Sequence, residues 1–239
     1  MLQQQSHNGG KLQQAGIDPD RDDGFAITAV ALDFSNKTID ELSVTAIDEA
    51  IRTGKYVWID LDYSDAEVAR TLLSGLKLVD NDLVEEIFTE EEGTELSRHP
   101  NYMHLVLSGC RLAAGGELEL QRIDTVIDEK FFLTVHRGVH DVIDAVKNEY
   151  QGDFVRFAHT PSFLIYELWD ALVEHYADIE KHLEQEVESL QSKLVRAADD
   201  EVFSHVSDIG ENLLQFRGIL MPARKIITEL ASRRSHLVS

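Results

Sequence analysis

The pattern of apolar and polar positions divides the chain into two parts. Through the first 160 residues, short apolar runs rich in strand formers alternate with segments of helical spacing. Beyond that point, apolar residues recur at steps of three and four over two long stretches. The pattern predicts an α/β domain over residues 24–160 and a long antiparallel helical hairpin over 161–239. Residues 1–23 are polar, lack a secretory signal and are interpreted as a mobile tail.

Apolar runs bounded by turn residues predict five strands in the first part. The last three follow one another through tight turns, which predicts an antiparallel meander. The polar segment Thr89–Asn101 contains Pro100 and is interpreted as a loop. The predicted strands are Phe25–Asp33, Tyr56–Leu61, Tyr102–Leu112, Leu118–Asp128 and Phe131–Val135.

Helical spacing between these strands predicts four shorter helices. One begins at Ser64, where a serine cap and Glu67 three residues later form a capping box. Helices packed on a sheet of this kind predict an α/β/α sandwich with a mixed, largely antiparallel sheet. The other three predicted helices are Ser43–Thr53, Asn81–Phe88 and Val139–Tyr150.

The two long helices each carry one apolar stripe, and each is expected to be about 50 Å long at about 1.5 Å per residue. Pro222 lies inside the second helix, where it removes the hydrogen bond to Gly218 and predicts a local bend. The first stripe is Ile165, Leu168, Leu172, Tyr176, Ile179, Leu183, Val187, Leu190 and Leu194. The second is Val202, Val206, Ile209, Leu213, Phe216, Leu220, Ile227 and Leu230.

Charge and composition narrow the function. The formal net charge is −22 although the segment from Glu211 onwards is basic, so the remaining surface is strongly acidic. Such a surface argues against nucleic acid and favours cations. No apolar run approaches the roughly 18 residues that a membrane-spanning helix needs. The single cysteine, Cys110, lies in an apolar run and is predicted to be a buried strand residue.

Enzyme signatures such as a P-loop or a nucleophile elbow do not occur in the sequence, which disfavours an enzyme. Ten histidines raise the question of zinc. His136 and His140 are four residues apart, but no HExxH motif accompanies them. His175 and His182 are seven apart on the first long helix, where Glu174 or Asp178 would be an oxygen ligand. Surface histidines among acids are the alternative interpretation.

Crowded carboxylates are the second candidate chemistry. Glu85 and Glu86 lie together near one helix end, and Asp170 and Glu174 are four apart on one face of the first long helix. Hard cations such as Mg²⁺ take oxygen ligands, and a divalent cation relieves the repulsion between neighbouring carboxylates. These four residues are the predicted metal ligands, and a solvated acidic face is the alternative.

Several short motifs in this order resemble the CorA-type divalent cation transporters, including the ZntB zinc-transport branch. The resemblance covers nearly the whole chain from about Gly24, and it depends on the order and spacing of motifs that are individually weak. The motifs are Trp58-Ile59-Asp60-Leu61, Leu83-Val84-Glu85-Glu86-Ile87, His99-Pro100-Asn101-Tyr102, Phe131-Phe132-Leu133-Thr134-Val135-His136, Leu168-Trp169-Asp170-Ala171-Leu172-Val173-Glu174, and Asn212-Leu213 with Arg217, Pro222 and Arg224.

The resemblance implies the cytosolic domain of a homopentamer that continues into a stalk helix and two membrane helices. It implies that this chain is an incomplete copy, a monomer or weak oligomer alone, and that membrane contact comes only through the missing helices. It also implies a regulatory metal position at Glu86, next to Glu85, where Glu replaces the Asp of the family pattern. The family's partner acid lies further along the stalk.

Three functions remain open from the sequence. The first is the cytosolic, metal-sensing domain of a Mg²⁺ transporter, with Co²⁺ or Ni²⁺ as related ions. The second is the same fold tuned to Zn²⁺, in line with the histidine count. The third is a stand-alone helical-hairpin interaction protein without a metal role.

Overall fold

The computed structural model describes residues 24–89, 93–196 and 200–232, so the predicted N-terminal tail lies outside the described residues. The strands are β1 (Phe25–Asp33), β2 (Thr38–Leu42), β3 (Tyr56–Tyr63), β4 (Glu95–Arg98), β5 (Tyr102–Leu112), β6 (Leu118–Asp128) and β7 (Phe131–Arg137). The α-helices are α1 (Ile47–Arg52), α2 (Ala66–Leu76), α3 (Asn81–Ile87), α4 (Asp141–Phe157), α5 (Ser162–Arg196) and α6 (Asp200–Ser232).

The strands form one sheet in the order β2-β1-β3-β7-β6-β5-β4. Strands β3 and β7 pair in parallel, and the other neighbouring strands pair antiparallel. The predicted meander is therefore confirmed as β5, β6 and β7. The mixed, largely antiparallel sheet of the sequence prediction is confirmed as well.

Each face of the sheet carries its own apolar core because successive side chains of a strand point to opposite faces. On β3, Ile59 packs with α1, α2 and α3, and Trp58 packs with α4, α5 and α6. We call these the α3 face and the α4 face. Helices on both faces complete the α/β/α sandwich. The α4-face core continues along the long helices as far as Leu183 and Phe216.

Two short edge strands were missed from the sequence. Strand β4 lies within Thr89–Asn101, so the prediction that this segment is entirely a loop is wrong at Glu95–Arg98. Strand β2 was not predicted at all. Both strands are short, polar and largely exposed, which is how natural sheets protect their outer edges. Their stability comes from pairing with β1 and β5, and no apolar run marks them.

The cap of α2 is one residue later than predicted. Asp65, not Ser64, accepts hydrogen bonds from the backbone N–H groups of Glu67 and Val68. The N–H of Ser64 is already bonded to the carbonyl of Gly24, because β3 runs on to Tyr63 beside β1. The capping box of Ser64 with Glu67 is therefore wrong, and an aspartate cap replaces it.

The stripe predicted for α6 is partly wrong. Val206, Leu213 and Ile227 are exposed. The buried positions instead follow alternating steps of three and four and include one polar residue. They are Ile209, Asn212, Phe216, Ile219, Ala223 and Ile226. The predicted stripe left out Ile219 and Ile226, and a stripe restricted to large apolar residues also leaves out Asn212 and Ala223.

Asn212 joins α6 to the turn between β5 and β6. Its side-chain oxygen accepts a hydrogen bond of 2.9 Å from the N–H of Leu118, and its amide donates one of 2.7 Å to the carbonyl of Gly116. A buried amide that satisfies two backbone groups of a hairpin fixes both the hairpin and the helix.

Pro222 lies inside α6, and the helix is continuous through it. The Cβ position of Gly218 has open space outside its own helix. The local bend between Gly218 and Arg224 stays a prediction.

We expect Asn212→Ala to lower the free energy of unfolding by about 1 to 3 kcal/mol, because it leaves the buried N–H of Leu118 without an acceptor. Urea denaturation measures this loss. Glu211→Ala is the matched control, since Glu211 is exposed on the same helix. Equal stability of the two variants would contradict the role assigned to Asn212.

Candidate cation sites

Glu85 and Glu86 lie on the last turn of α3, where their carboxylates have different neighbours. The Glu85 carboxylate lies 3.3 Å from Nε of Arg70, so a resident cation already compensates it. The Glu86 carboxylate lies 3.3 Å from Nδ1 of His104 and its side chain is 47% exposed. Of the two predicted ligands, Glu86 combines solvent access with a neighbouring metal-ligating side chain.

A buried network lies behind Glu86 on the α3 face. His104 of β5 contacts Asp124 of β6 through Nε2 at 2.8 Å. Asp124 accepts two hydrogen bonds from Arg122, at 2.7 and 2.8 Å. Burial alone would lower the pKa of Arg122, but the hydrogen bonds and charge of Asp124 outweigh it and raise that pKa. The buried carboxylate of Asp124 therefore has hydrogen-bond partners at both of its oxygens, from His104 and Arg122.

Arg122 also ties the network to the end of α3. Its guanidinium donates to the backbone carbonyls of Glu86 and Thr89. A cation at the C-terminal end of a helix compensates carbonyls that have no partner within the helix. The backbone position of Glu86 is therefore set by the sheet below it.

Asp170 and Glu174 line a cleft between α4 and α5 with a volume of about 170 Å³. This acidic cleft lies on the α4 face, on the opposite side of the sheet from Glu86. Further acidic residues line it, together with His175: Asp141, Glu149 and Asp153 of α4, and Glu167 and Asp178 of α5.

The protonation of Glu167 reflects both its burial and the acids around it in the cleft. Burial, and then the charges of Asp153, Asp170 and Glu149, raise the pKa of Glu167 from 4.5 to about 7. Glu167 therefore takes up a proton nearer neutral pH than an exposed glutamate does, because burial and the neighbouring charges both disfavour its carboxylate. A divalent cation in the cleft would perform the same task.

The structure thus brings Asp170 and Glu174 together and separates them from Glu85 and Glu86. Among residues 24–89, 93–196 and 200–232, no three His, Cys, Asp or Glu side chains are already grouped in metal-binding geometry. Sequence reasoning missed Glu167, although it lies three residues before Asp170 on the same helical face. The acids of α4 were missed because spacing does not tell which helix packs beside α5.

The histidine pairs proposed for zinc have other partners. His136 donates from Nδ1 to the carbonyl of Gly138 at 2.8 Å, and its Nε2 lies 3.3 Å from Asp60. His140 Nε2 lies 3.3 Å from the carbonyl of Gln121. Burial, with a contribution from the charge of His136, lowers the pKa of His140 to about 4, so the ring is neutral.

The second histidine pair is separated as well. His175 contacts the carbonyl of Cys110 on β5, and His182 is exposed to solvent. Cys110 is fully buried, which confirms the prediction from its apolar run. Burial raises the pKa of its thiol to about 12, so the reactive thiolate does not form near neutral pH.

Two of the short motifs meet inside the sheet. Asp60 of the Trp58–Leu61 motif pairs in register with Thr134 on the parallel strand β7. It accepts hydrogen bonds from Thr134, from His136 at 3.3 Å and from Lys147 of α4 at 2.6 Å. Burial opposes the charge of Asp60, but His136 and Lys147 outweigh it and lower its pKa. The motifs therefore build a buried ionic cluster under α4.

Sequence comparison assigns the family. A model described as CorA-like Mg²⁺ transporter protein matches residues 53–238. The chain belongs to this CorA-like family. A cobalt/magnesium transport protein CorA from Thermotoga maritima is 22% identical over 151 residues, which cover 62% of this chain and 43% of that protein. The chain therefore spans less than half the length of this relative.

Solved structures share the fold of this CorA-like chain. The soluble domain of CorA from Methanocaldococcus jannaschii matches with a TM-score of 0.75 at 17% identity, over 90% of this chain and 82% of that one. The ZntB cytoplasmic domain from Vibrio parahaemolyticus matches with a TM-score of 0.67 at 14% identity and the same coverage. At this identity the similarity shows the fold alone. The CorA domain and the ZntB domain both share this fold.

None of the helices within the described residues has the length and apolar character needed to cross a membrane.

Asp60→Asn is expected to lower the free energy of unfolding by about 3 to 5 kcal/mol, because it leaves Lys147 and His136 without their buried counter-charge. Urea denaturation near pH 7 measures the change. Asp62→Asn is the matched control on the same strand, since its side chain is 28% exposed and lies 3.9 Å from His136. Comparable losses in both variants would refute the special role of Asp60.

Glu167→Gln tests the repulsion in the acidic cleft. The raised pKa means that the stabilising effect of protonated Glu167 is complete below about pH 4.5 and is lost as the pH rises through about 7. The variant should therefore have a higher Tm than the wild type at pH 8. Its Tm should also change less with pH between about pH 4.5 and pH 7. Glu188→Gln, on the same helix and outside the cleft, serves as the control. Parallel Tm curves for wild type and Glu167→Gln would contradict the raised pKa of Glu167.

Proposed function

We propose that this chain is the cytoplasmic domain of a CorA-like divalent cation transporter and that it senses cytosolic Mg²⁺, with Co²⁺ and Ni²⁺ as related ions. The observation that carries the proposal is carboxylate charge that the chain itself leaves partly uncompensated. This charge lies at Glu86, which is half-exposed, and in the acidic cleft, where neighbouring acids add to the effect of burial in raising the pKa of Glu167.

Mg²⁺ suits the acidic cleft on chemical grounds. It binds through one or two carboxylates and keeps several of its waters, so a wet cleft can hold it without a preformed cage. Asp170 and Glu174 of α5 face the acids of α4 across the cleft. A cation between them would hold the two helices together, and its loss would loosen them. The packing of α4 against α5 would in this way depend on the concentration of the metal ion.

Glu86 supports a second sensing position. It lies at the end of a helix whose backbone Arg122 fixes to the sheet, and its side chain remains 47% exposed. A carboxylate held this way can reach a cation shared with another subunit. The proposal therefore includes a homo-oligomer, and the pentamer of the family resemblance is the assembly we expect for the full transporter.

An apolar groove along α5 and α6 lies open on the described part of the chain. The part of the groove nearer the turn between α5 and α6 has a volume of about 560 Å³ and is lined by Leu183, Leu213 and Phe216. The part nearer the sheet is lined by residues that include Val173 and Ile227, both of which are exposed. We assign this groove to the stalk helix that the family resemblance implies, since the match covers only 43% of the curated relative.

The stand-alone interaction protein is disfavoured by the family match over residues 53–238. A zinc-directed version of the same domain has one specific observation in its favour, the contact between Glu86 and His104.

Thermal unfolding in millimolar Mg²⁺ tests the proposal. We expect Mg²⁺ to raise the Tm of the wild type, because a ligand that binds the folded state stabilises it. Glu86→Gln should lose part of this increase, and Asp48→Asn, an exposed acid on α1, should keep all of it. Equal stabilisation of wild type and Glu86→Gln would remove Glu86 from the cation site.

A further inference from the structure

We propose that Glu86 and His104 together form a transition-metal site, which takes Zn²⁺ or Co²⁺ through one carboxylate oxygen and one imidazole nitrogen. The inference rests on the proposed function, in which Glu86 is a cation ligand. It adds a nitrogen donor from the neighbouring strand, and this donor determines the class of ion.

The spacing of the two donor atoms suits a shared metal. Nδ1 of His104 and Oε1 of Glu86 lie 3.3 Å apart. Zinc binds imidazole nitrogen and carboxylate oxygen at about 2.0 to 2.2 Å. With the two donor atoms 3.3 Å apart and each at these distances from the metal, the angle between donor, metal and donor is about 105°. This angle is close to that of the tetrahedral coordination that zinc prefers. Little rearrangement is therefore needed to seat the ion.

The opposite side of the ring is held in the way that metal-ligating histidines are. Nε2 donates to Asp124 at 2.8 Å, and in the neutral ring this hydrogen bond leaves Nδ1 as the nitrogen with a lone pair. The histidine and the aspartate are 1% and 3% exposed, so neither side chain has room to turn away. Arg122 fixes Asp124 through two further hydrogen bonds.

The donor set favours transition metals over Mg²⁺. Imidazole is a good ligand for zinc, cobalt and nickel, whereas Mg²⁺ prefers oxygen and keeps its water. Glu86 forms the solvent-facing side of the pair, so water can complete the coordination shell from outside. Mg²⁺ at this position would use Glu86 alone, and Zn²⁺ would use both residues.

The competing arrangement is an ion pair between Glu86 and a charged imidazole ring, with no metal role. A second histidine–carboxylate contact offers a matched control for it. Nε2 of His205 on α6 lies 3.1 Å from the carboxylate of Glu186 on α5, and the two side chains are 30% and 41% exposed. If any such contact binds zinc, His205→Gln should weaken binding as much as His104→Gln does.

Calorimetric titration with Zn²⁺ and with Mg²⁺ on the wild type and both variants tests the inference. We expect His104→Gln to weaken Zn²⁺ binding at least tenfold. Mg²⁺ binding should change less than twofold, and His205→Gln should leave both unchanged. Unaltered Zn²⁺ affinity in His104→Gln would overturn the inference.

Imidazole ¹⁵N resonances of the wild type give a second measurement, which does not depend on the variant folding. Zn²⁺ should shift the Nδ1 resonance of His104, while Nε2 keeps its proton toward Asp124. An unshifted Nδ1 resonance at saturating Zn²⁺ would also overturn the site.

Glu86→Gln separates the inference from the proposed function. If this variant loses Mg²⁺ binding while His104→Gln binds Zn²⁺ like the wild type, the inference fails and the proposed function stands. If Glu86→Gln changes the binding of neither ion, Glu86 is not a ligand and both fail at this position.

Discussion

The close packing of acidic side chains between α4 and α5 is the constraint on which the proposed cation binding depends. Helices α4 and α5 must pack together to cover one face of the sheet, yet their facing sides carry acids from both helices. Apolar contacts below the cleft hold the helices together, and the charges above it push them apart. Burial, and after it the charges of neighbouring acids, raise the pKa of Glu167, and the proposed divalent cation would compensate these acids without the uptake of a proton.

The chain treats its buried acids and its surface acids differently. Asp60 has Lys147 and His136 as resident partners on the α4 face, and Asp124 has Arg122 and His104 on the α3 face. Because burying an uncompensated charge is costly, each of these acids has a resident cation beside it, Lys147 for Asp60 and Arg122 for Asp124. Glu86 and the cleft acids lie where an ion from solution can reach them. The proposed cation sites therefore lie at the surface, outside a sheet whose interior charges are already balanced.

Sequence reasoning predicted the elements that carry strong local signals. The bounds of β5 and β6 are confirmed because turn residues flank long apolar runs. Strands β2 and β4 were missed because an edge strand needs few apolar residues and depends on its neighbour for pairing. The face of α6 was misjudged because Asn212, a polar residue, belongs to it through two hydrogen bonds to a distant turn.

The candidate sites show the same limit. Spacing along α5 predicted that Asp170 and Glu174 share a face, and the structure places both in one cleft. The acids of α4 opposite them, and His104 beside Glu86, come from tertiary packing between segments that are far apart in the chain. Local spacing contains no information about such pairs. The motifs of the family resemblance marked Asp60 and His136 without showing that they join in one ionic cluster.

Anomalous diffraction from crystals of this domain soaked in Mn²⁺ and Co²⁺ tests the central claim most directly, because it locates divalent cations without relying on a variant. The account predicts anomalous peaks within ligand distance of Glu86 and of the carboxylates between α4 and α5. Saturating soaks that leave both positions empty, or that place every ion on other parts of the surface, would contradict it.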